Sequence, residues 1–256
     1  MRASVPLVPR AALPASARTE RPAAPDGPEG LEKTRVWIVV PAYNEAPRLG
    51  QCLGALCSRW PNVVVVDDGS TDETAETARG HPVWLVRHPL NLGQGAALLT
   101  GIRFALGRGA DFVITFDADG QHDVEDLEVL MEPLLRGDAD ISFGSRFLGG
   151  TVGMPKGRHV MLAAAVLLTR VLYGMPVTDA HNGLRAMTRK AAAALRITTN
   201  RMEHASEILE CVREQHLRWT EVPVTIRYTE ESLAKGQSTM AALSLFIRLI
   251  LEKLIR

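Results

Sequence analysis

Two carboxylates one residue apart, Asp117 and Asp119, stand directly after the apolar run Phe112–Phe116. Like charges held that close repel each other. A hard divalent cation, Mg2+ or Mn2+, relieves the repulsion through oxygen ligands and leaves the rest of its shell to substrate phosphates and water. Three more apolar runs end in polar residues. Val36–Val40 is followed by Pro41-Ala42-Tyr43-Asn44-Glu45, a rigid turn with an aromatic face and a carboxylate. Val63–Val66 is followed by Asp67-Asp68-Gly69-Ser70-Thr71-Asp72, where the Ser70 or Thr71 hydroxyl is placed to cap the next helix. Asp140–Phe143 is followed by Gly144-Ser145-Arg146-Phe147, and Arg146 suits a phosphate or a carboxylate.

Chemistry at four such places needs elements that bring them together. The apolar runs, with Val83–Val86 as a fifth, alternate with helical patterns over about 41–60, 73–79, 92–106 and 124–135. That rhythm predicts βαβ units and a mostly parallel sheet with helices on both faces. The runs are continuously apolar, as burial on both faces requires. Ligands of such sheets bind beyond the carboxyl ends of the strands, where these polar residues lie. The second half adds a helix over about 155–174, a strand near 183–188, a helix near 202–215 and a strand near 220–227. On the 202–215 helix, Glu203, Glu207 and Glu210 share one face. Asp179, Glu203 and Glu207 are candidates to take a proton from a hydroxyl nucleophile. The Asn91-Leu92-Gly93-Gln94-Gly95 stretch lacks both the third glycine of a dinucleotide fingerprint and the G-K-[ST] of a phosphate loop. It reads as a helix start that allows close approach to a strand.

Composition excludes several classes. Lys+Arg 29 balance Asp+Glu 29, so no basic excess serves bulk nucleic-acid binding, and 5% aromatic residues make a poor base-stacking platform. Three cysteines, none in C-x-x-C spacing, give no disulfide framework and favour a reducing, cytoplasmic compartment. Residues 1–33, rich in Pro and Ala, are expected to be a disordered leader. Residues 34–238 form the expected catalytic domain. Residues 239–256 form an amphipathic helix, with Leu243, Phe246, Ile247, Ile250, Leu251 and Leu254 on one side, that either covers the core or lies at the cytoplasmic face of a membrane. Oligomeric state is not readable from the sequence.

PAYNE, VVVVDDGSTDET, NLGQGAALLTGI, FDADGQH and GSRF occur in order between Val36 and Ser238. The set resembles the family 2 glycosyltransferases of the GT-A fold, and within them the dolichyl-phosphate mannose synthases and bacterial polyprenyl-phosphate glycosyltransferases. The resemblance implies an inverting transfer of a sugar from a UDP- or GDP-linked donor. It implies that Pro41, Tyr43, Asn44 and Glu45 hold base and ribose, with Val66 and Asp68 enclosing the base. Asp117, Ala118 and Asp119 would meet the diphosphate, and Gln121 would join Asp117 and Asp119 on the metal. Arg146, Arg158, Asp179 and Arg185 match acceptor-side positions, with Asp119, Asp179, Arg146 and Glu207 nearest the reaction. In the loop Ser232–Thr239, Leu233 and Thr239 replace the family's Arg and Lys, and Lys235 offers charge from a shifted position. The acceptor is either a polyprenyl phosphate or a glycan hydroxyl. A nucleotidyltransferase and a non-catalytic nucleotide-sugar binding subunit are the other readings. The first would normally carry a Gly-rich basic loop where PAYNE stands.

Overall fold

The computed structural model describes residues 35–179, 182–198 and 204–228. The leader, the 239–256 helix, Glu203 and Lys235 lie outside the described residues. Strands β1 (Val36–Ala42), β2 (Val63–Asp67), β3 (Trp84–Arg87), β4 (Phe112–Thr115), β5 (Ile141–Val152), β6 (Arg185–Thr188) and β7 (Trp219–Arg227) form one sheet in the order β3-β2-β1-β4-β6-β5-β7. Every pairing is parallel except those of β6, which runs antiparallel to both β4 and β5. The helices are α1 (Ala46–Cys57), α2 (Thr74–Arg79), α3 (Gln94–Gly107), α4 (Asp126–Leu135), α5 (Lys156–Tyr173), α6 (Arg189–Ala194) and α7 (His204–Glu214).

Successive strand residues point to opposite faces, and the core divides accordingly. Val36, Ile38 and Val40 join Val63 and Val65 under α1 and α4, packed by Leu49, Leu53, Leu127 and Leu130. Trp37 and Val39 join Val64 and Val66 under α3, α6 and α7, packed by Leu98, Ile102, Ala191 and Ile208. Gly101 lets α3 press on the sheet, because a Cβ there would collide with Val39 and crowd Val66.

Two elements differ from expectation in ways that move site residues. β1 runs on through Pro41 and Ala42, with Pro41 in register with Val66, so the turn begins only at Tyr43. β5 extends well past Phe143, pairing with β7 to Val152 after an irregularity between Ser145 and Gly150. Arg146 therefore sits inside that irregularity, not in a loop after the strand. Gly149 passes so close to Val224 that a side chain there would meet its backbone.

Candidate active site

The turn after β1 is stitched to the turn after β2. Asn44, at φ 54°, donates its N–H to Ser70 Oγ (3.0 Å) and accepts from Thr71 N at its Oδ1 (2.9 Å). Glu45 N donates to Thr74 Oγ1 at 2.9 Å, and the Glu45 carboxylate accepts from Arg48 at 3.1 Å. Ser70 and Thr71 are thus engaged with Asn44 and do not cap α2. Its first turn is instead bonded by Asp72, which accepts from Thr74 N (3.0 Å). Tyr43 stands at the rim, 44% exposed.

Asp68 is buried and accepts from His88 Nδ1 (2.7 Å), Leu92 N (3.0 Å) and Gly93 N (2.6 Å). Its carboxylate therefore fixes the loop that launches α3. Val66 is fully buried among the residues facing α3, so its side chain has no surface to offer a base.

The launch of α3 has a second effect. Gln94, its first residue, donates Nε2 to Asp117 Oδ1 at 3.0 Å. His122 Nε2 lies 3.5 Å from Asp117 Oδ2, with the imidazole only 5% exposed. Gly183 gives Asp117 room, since a Cβ there would collide with the carboxylate. Burial alone would raise the Asp117 pKa, but His122 first, then the charges of Arg185 and His204, hold it below the ordinary carboxylate value. Asp119 moves the other way. Burial raises it, and the neighbouring Asp117 charge raises it further, against His122 and the Gln121 N–H bond (3.0 Å). The pair is thus split, and electrostatically short of positive charge at Asp119. A cavity of about 660 Å³ between α1 and the Phe116–Glu125 segment reaches Asp119. Ala118 is buried between the two acids. Gln121 has its backbone fixed on both sides, since its carbonyl also accepts from Arg227 N at 2.9 Å.

Arg185, which acts on both Asp117 and Asp179, leads to a cationic cluster. Arg146, with a side chain 9% exposed, donates Nε to Asp179 Oδ2 (2.6 Å) and Nη1 to the Tyr228 hydroxyl (2.6 Å). Burial disfavours its charge, yet Asp179 and Tyr228 hold its pKa above the usual arginine value. Arg158 stacks its guanidinium 5.1 Å from the Tyr228 ring centroid, and its buried Nε has no partner among the described residues. Arg185 is fully buried, its Nη1 also without a partner among the described residues, and burial lowers its pKa.

Asp179 also accepts from Arg146 N (3.1 Å) and is only 2% exposed at its side chain. In this geometry it orients the arginine and has no open approach for a hydroxyl. Glu207 is bound by Thr198, through its N–H (3.0 Å) and hydroxyl (2.5 Å), and ties α7 to the segment before it. Sequence reasoning missed Gln94, His122 and Gly183. The FDADGQH motif did contain His122, but nothing local says that a glycine and a glutamine from distant stretches converge on Asp117.

The site thus combines a D-x-D pair after β4, joined turns after β1 and β2, and the buried arginines Arg146 and Arg185. The chain belongs to glycosyl transferase family 2, whose family model matches residues 37–196, and it is a glycosyltransferase of the GT-A fold. It is 31% identical over 241 residues to the UDP-N-acetylglucosamine–dolichyl-phosphate N-acetylglucosaminyltransferase of Methanococcus voltae, covering 86% of this chain and 96% of that one. It is 32% identical over 219 residues to the undecaprenyl-phosphate mannosyltransferase of Micrococcus luteus, covering 81% and 88%. In fold it matches glucosyl-3-phosphoglycerate synthase of Mycobacterium tuberculosis, solved with Mn2+ and UDP-glucose, with a TM-score of 0.65 at 20% identity, covering 85% of this chain and 78% of that one.

Proposed function

We propose that residues 34–238 form a catalytic unit that transfers a sugar from a UDP- or GDP-linked donor to a polyprenyl phosphate at the cytoplasmic face of a membrane, with inversion. The observation that carries this reading is the Arg146–Tyr228–Arg158 cluster, whose Asp179 shares Arg185 with the acid Asp117. A sugar hydroxyl needs a base to take its proton, whereas a lipid phosphate is already anionic and needs cations to hold it. Both candidate bases among the described residues, Asp179 and Glu207, are engaged with other groups.

The donor set fits a divalent metal. Asp117 and Asp119 offer hard oxygen ligands, and burial together with Asp117 leaves Asp119 in want of positive charge. Among the described residues no group of three or more His, Cys, Asp or Glu stands ready to enclose an ion. Two carboxylates would leave the remaining positions to the diphosphate and water, which is how Mg2+ is usually held. Bound there, Mg2+ or Mn2+ would neutralise charge growing on the departing nucleoside diphosphate.

The chain's own residues do the rest. The stitched Tyr43–Glu45 and Asp67–Asp72 turns form the nucleotide's seat. Gln94 and His122 hold Asp117 in place. Arg146, oriented by Asp179, and Arg158 position the acceptor phosphate. Its oxygen bonds to the anomeric carbon from the face opposite the diphosphate, whose bridging oxygen leaves with the bonding electrons.

The test incubates the full chain with radiolabelled UDP- and GDP-sugars, Mn2+ and undecaprenyl or dolichyl phosphate, followed by organic extraction. Label is expected in the organic phase and is lost with EDTA or in Asp119→Ala, whose melting temperature stays near the parent's. Transfer that survives both treatments would refute the metal site. Label found only on a glycan acceptor would refute the lipid phosphate.

A further inference from the structure

Glu221 breaks the pattern of its strand. β7 reads WTEVPVTIR, and carboxylates are depleted in strands because they pack poorly on a pleated, half-buried surface. The Glu221 carboxylate bonds outside the ladder, to the segment 177–179. Thr178 N donates to both of its oxygens at 2.8 Å, and Asp179 N donates to Oε1 at 2.9 Å. Two more contacts hold the same segment. The Thr178 and Ser145 hydroxyls lie 2.6 Å apart, and Arg170 Nε donates to the Val177 carbonyl at 2.7 Å. Successive N–H groups gathered on a carboxylate make charge-assisted bonds, roughly twice as strong as neutral ones.

What the segment delivers is Asp179. The β5–β7 register is interrupted between Ser145 and Gly150, and there Arg146 N turns to Asp179 Oδ2, at 3.1 Å. The Arg146 side chain gives Nε to the same oxygen at 2.6 Å and Nη1 to the Tyr228 hydroxyl at 2.6 Å. Both fastenings lead back to β7. Tyr228 follows it directly, and Glu221 lies within it, opposite Phe143 of β5. The two bonds fix the plane of the guanidinium, and with it the direction of its remaining donors.

We infer that Glu221 is a positioning residue for the acceptor phosphate: by clamping the Thr178 and Asp179 N–H groups it sets Asp179, which in turn sets the guanidinium of Arg146. The inference rests on the polyprenyl-phosphate reading above, and its test separates the two. Full-length parent, Glu221→Ala and Glu221→Gln are compared by steady-state kinetics, varying undecaprenyl phosphate and the nucleotide sugar in turn. Glu221→Ala is expected to raise the KM for undecaprenyl phosphate about tenfold, the scale of a lost orienting partner, and to leave the KM for the nucleotide sugar unchanged. Glu221→Gln, whose amide oxygen can accept from both N–H groups, is expected to recover most of that loss. A structural role alone would lower the melting temperature and the amount of active enzyme while leaving both KM values where they were. That result would overturn the inference, as would an equal rise in both KM values or a Gln variant no better than Ala. If the parent labels no polyprenyl phosphate, the acceptor reading fails, and titration calorimetry with inorganic phosphate decides Glu221 separately. Phosphate binding about tenfold weaker in the Ala variant would support the role. Equal binding by parent and variant, or none by the parent, would overturn it.

Discussion

Asp117 shows how a carboxylate is kept ionised in a crowded site. Gln94 Nε2 bonds one oxygen at 3.0 Å, His122 approaches the other at 3.5 Å, and Gly183 leaves the space in which the group lies. Replacing Gly183 by Ala should push the carboxylate out of that position without touching the core. The expected result is a fall in kcat of about a hundredfold, the scale of a displaced ligand-orienting group. Thermal unfolding should change little, and a steady-state assay beside a melting curve checks both. Gln94→Ala tests the same hold from the other side and should cost about tenfold in activity through a looser Asp117. A Gln94 variant with full activity would show that this bond is incidental. Cys52 lies near the pair but takes no part in it. Burial first, then Asp119, pushes its thiol up to about 12, so at pH 8 it should resist maleimide in the folded chain and react once unfolded.

Helix α3 serves the site and the core with one alignment. Its first residue reaches Asp117, and Gly101 in its middle rests against Val39 and Val66. Gly101→Ala should improve helix propensity yet destabilise the protein by about 1–3 kcal/mol, because the added methyl overpacks a rigid strand surface. Denaturant unfolding measures that sign directly. Much at this level was legible in sequence. The strands β1, β2 and β4 are apolar on both faces, and polar residues follow each, so the sheet and its active edge follow from local pattern. The reach of β5 was not legible, because its length depends on β7, far along the chain. Nor was the reversal of β6, since a four-residue strand carries no sign of its direction. The burial of Val66 was not legible for a related reason: its position beside the turn is local, but the face it points to depends on α3.

At the edge away from the nucleotide turns, Asp140 ties the start of β5 to the start of β7. It accepts from Arg218 N at 2.9 Å and from the guanidinium at 3.2 Å, with Lys190 at 3.5 Å. The Arg218 bond, opposed by burial, holds the Asp140 pKa below 3.8. A carboxylate depressed in the folded state stabilises it at pH above the ordinary value. That contribution fades as pH falls through the lower, folded value. Asp140→Asn should therefore cost about 1 kcal/mol at pH 7, since Arg218 is largely exposed, and the gap should be smaller at pH 3, on the acid side of the ordinary value. Parallel urea titrations at the two pH values decide it. The inverted strand β6 has a wider consequence. Chain leaves the sheet into the active edge from β1, β2 and β4, but at β6 it arrives there. Gly183 and Arg185, where the chain comes in, therefore reach Asp117 from the second half, so the acid pair is completed only when both halves of the sheet have closed on each other.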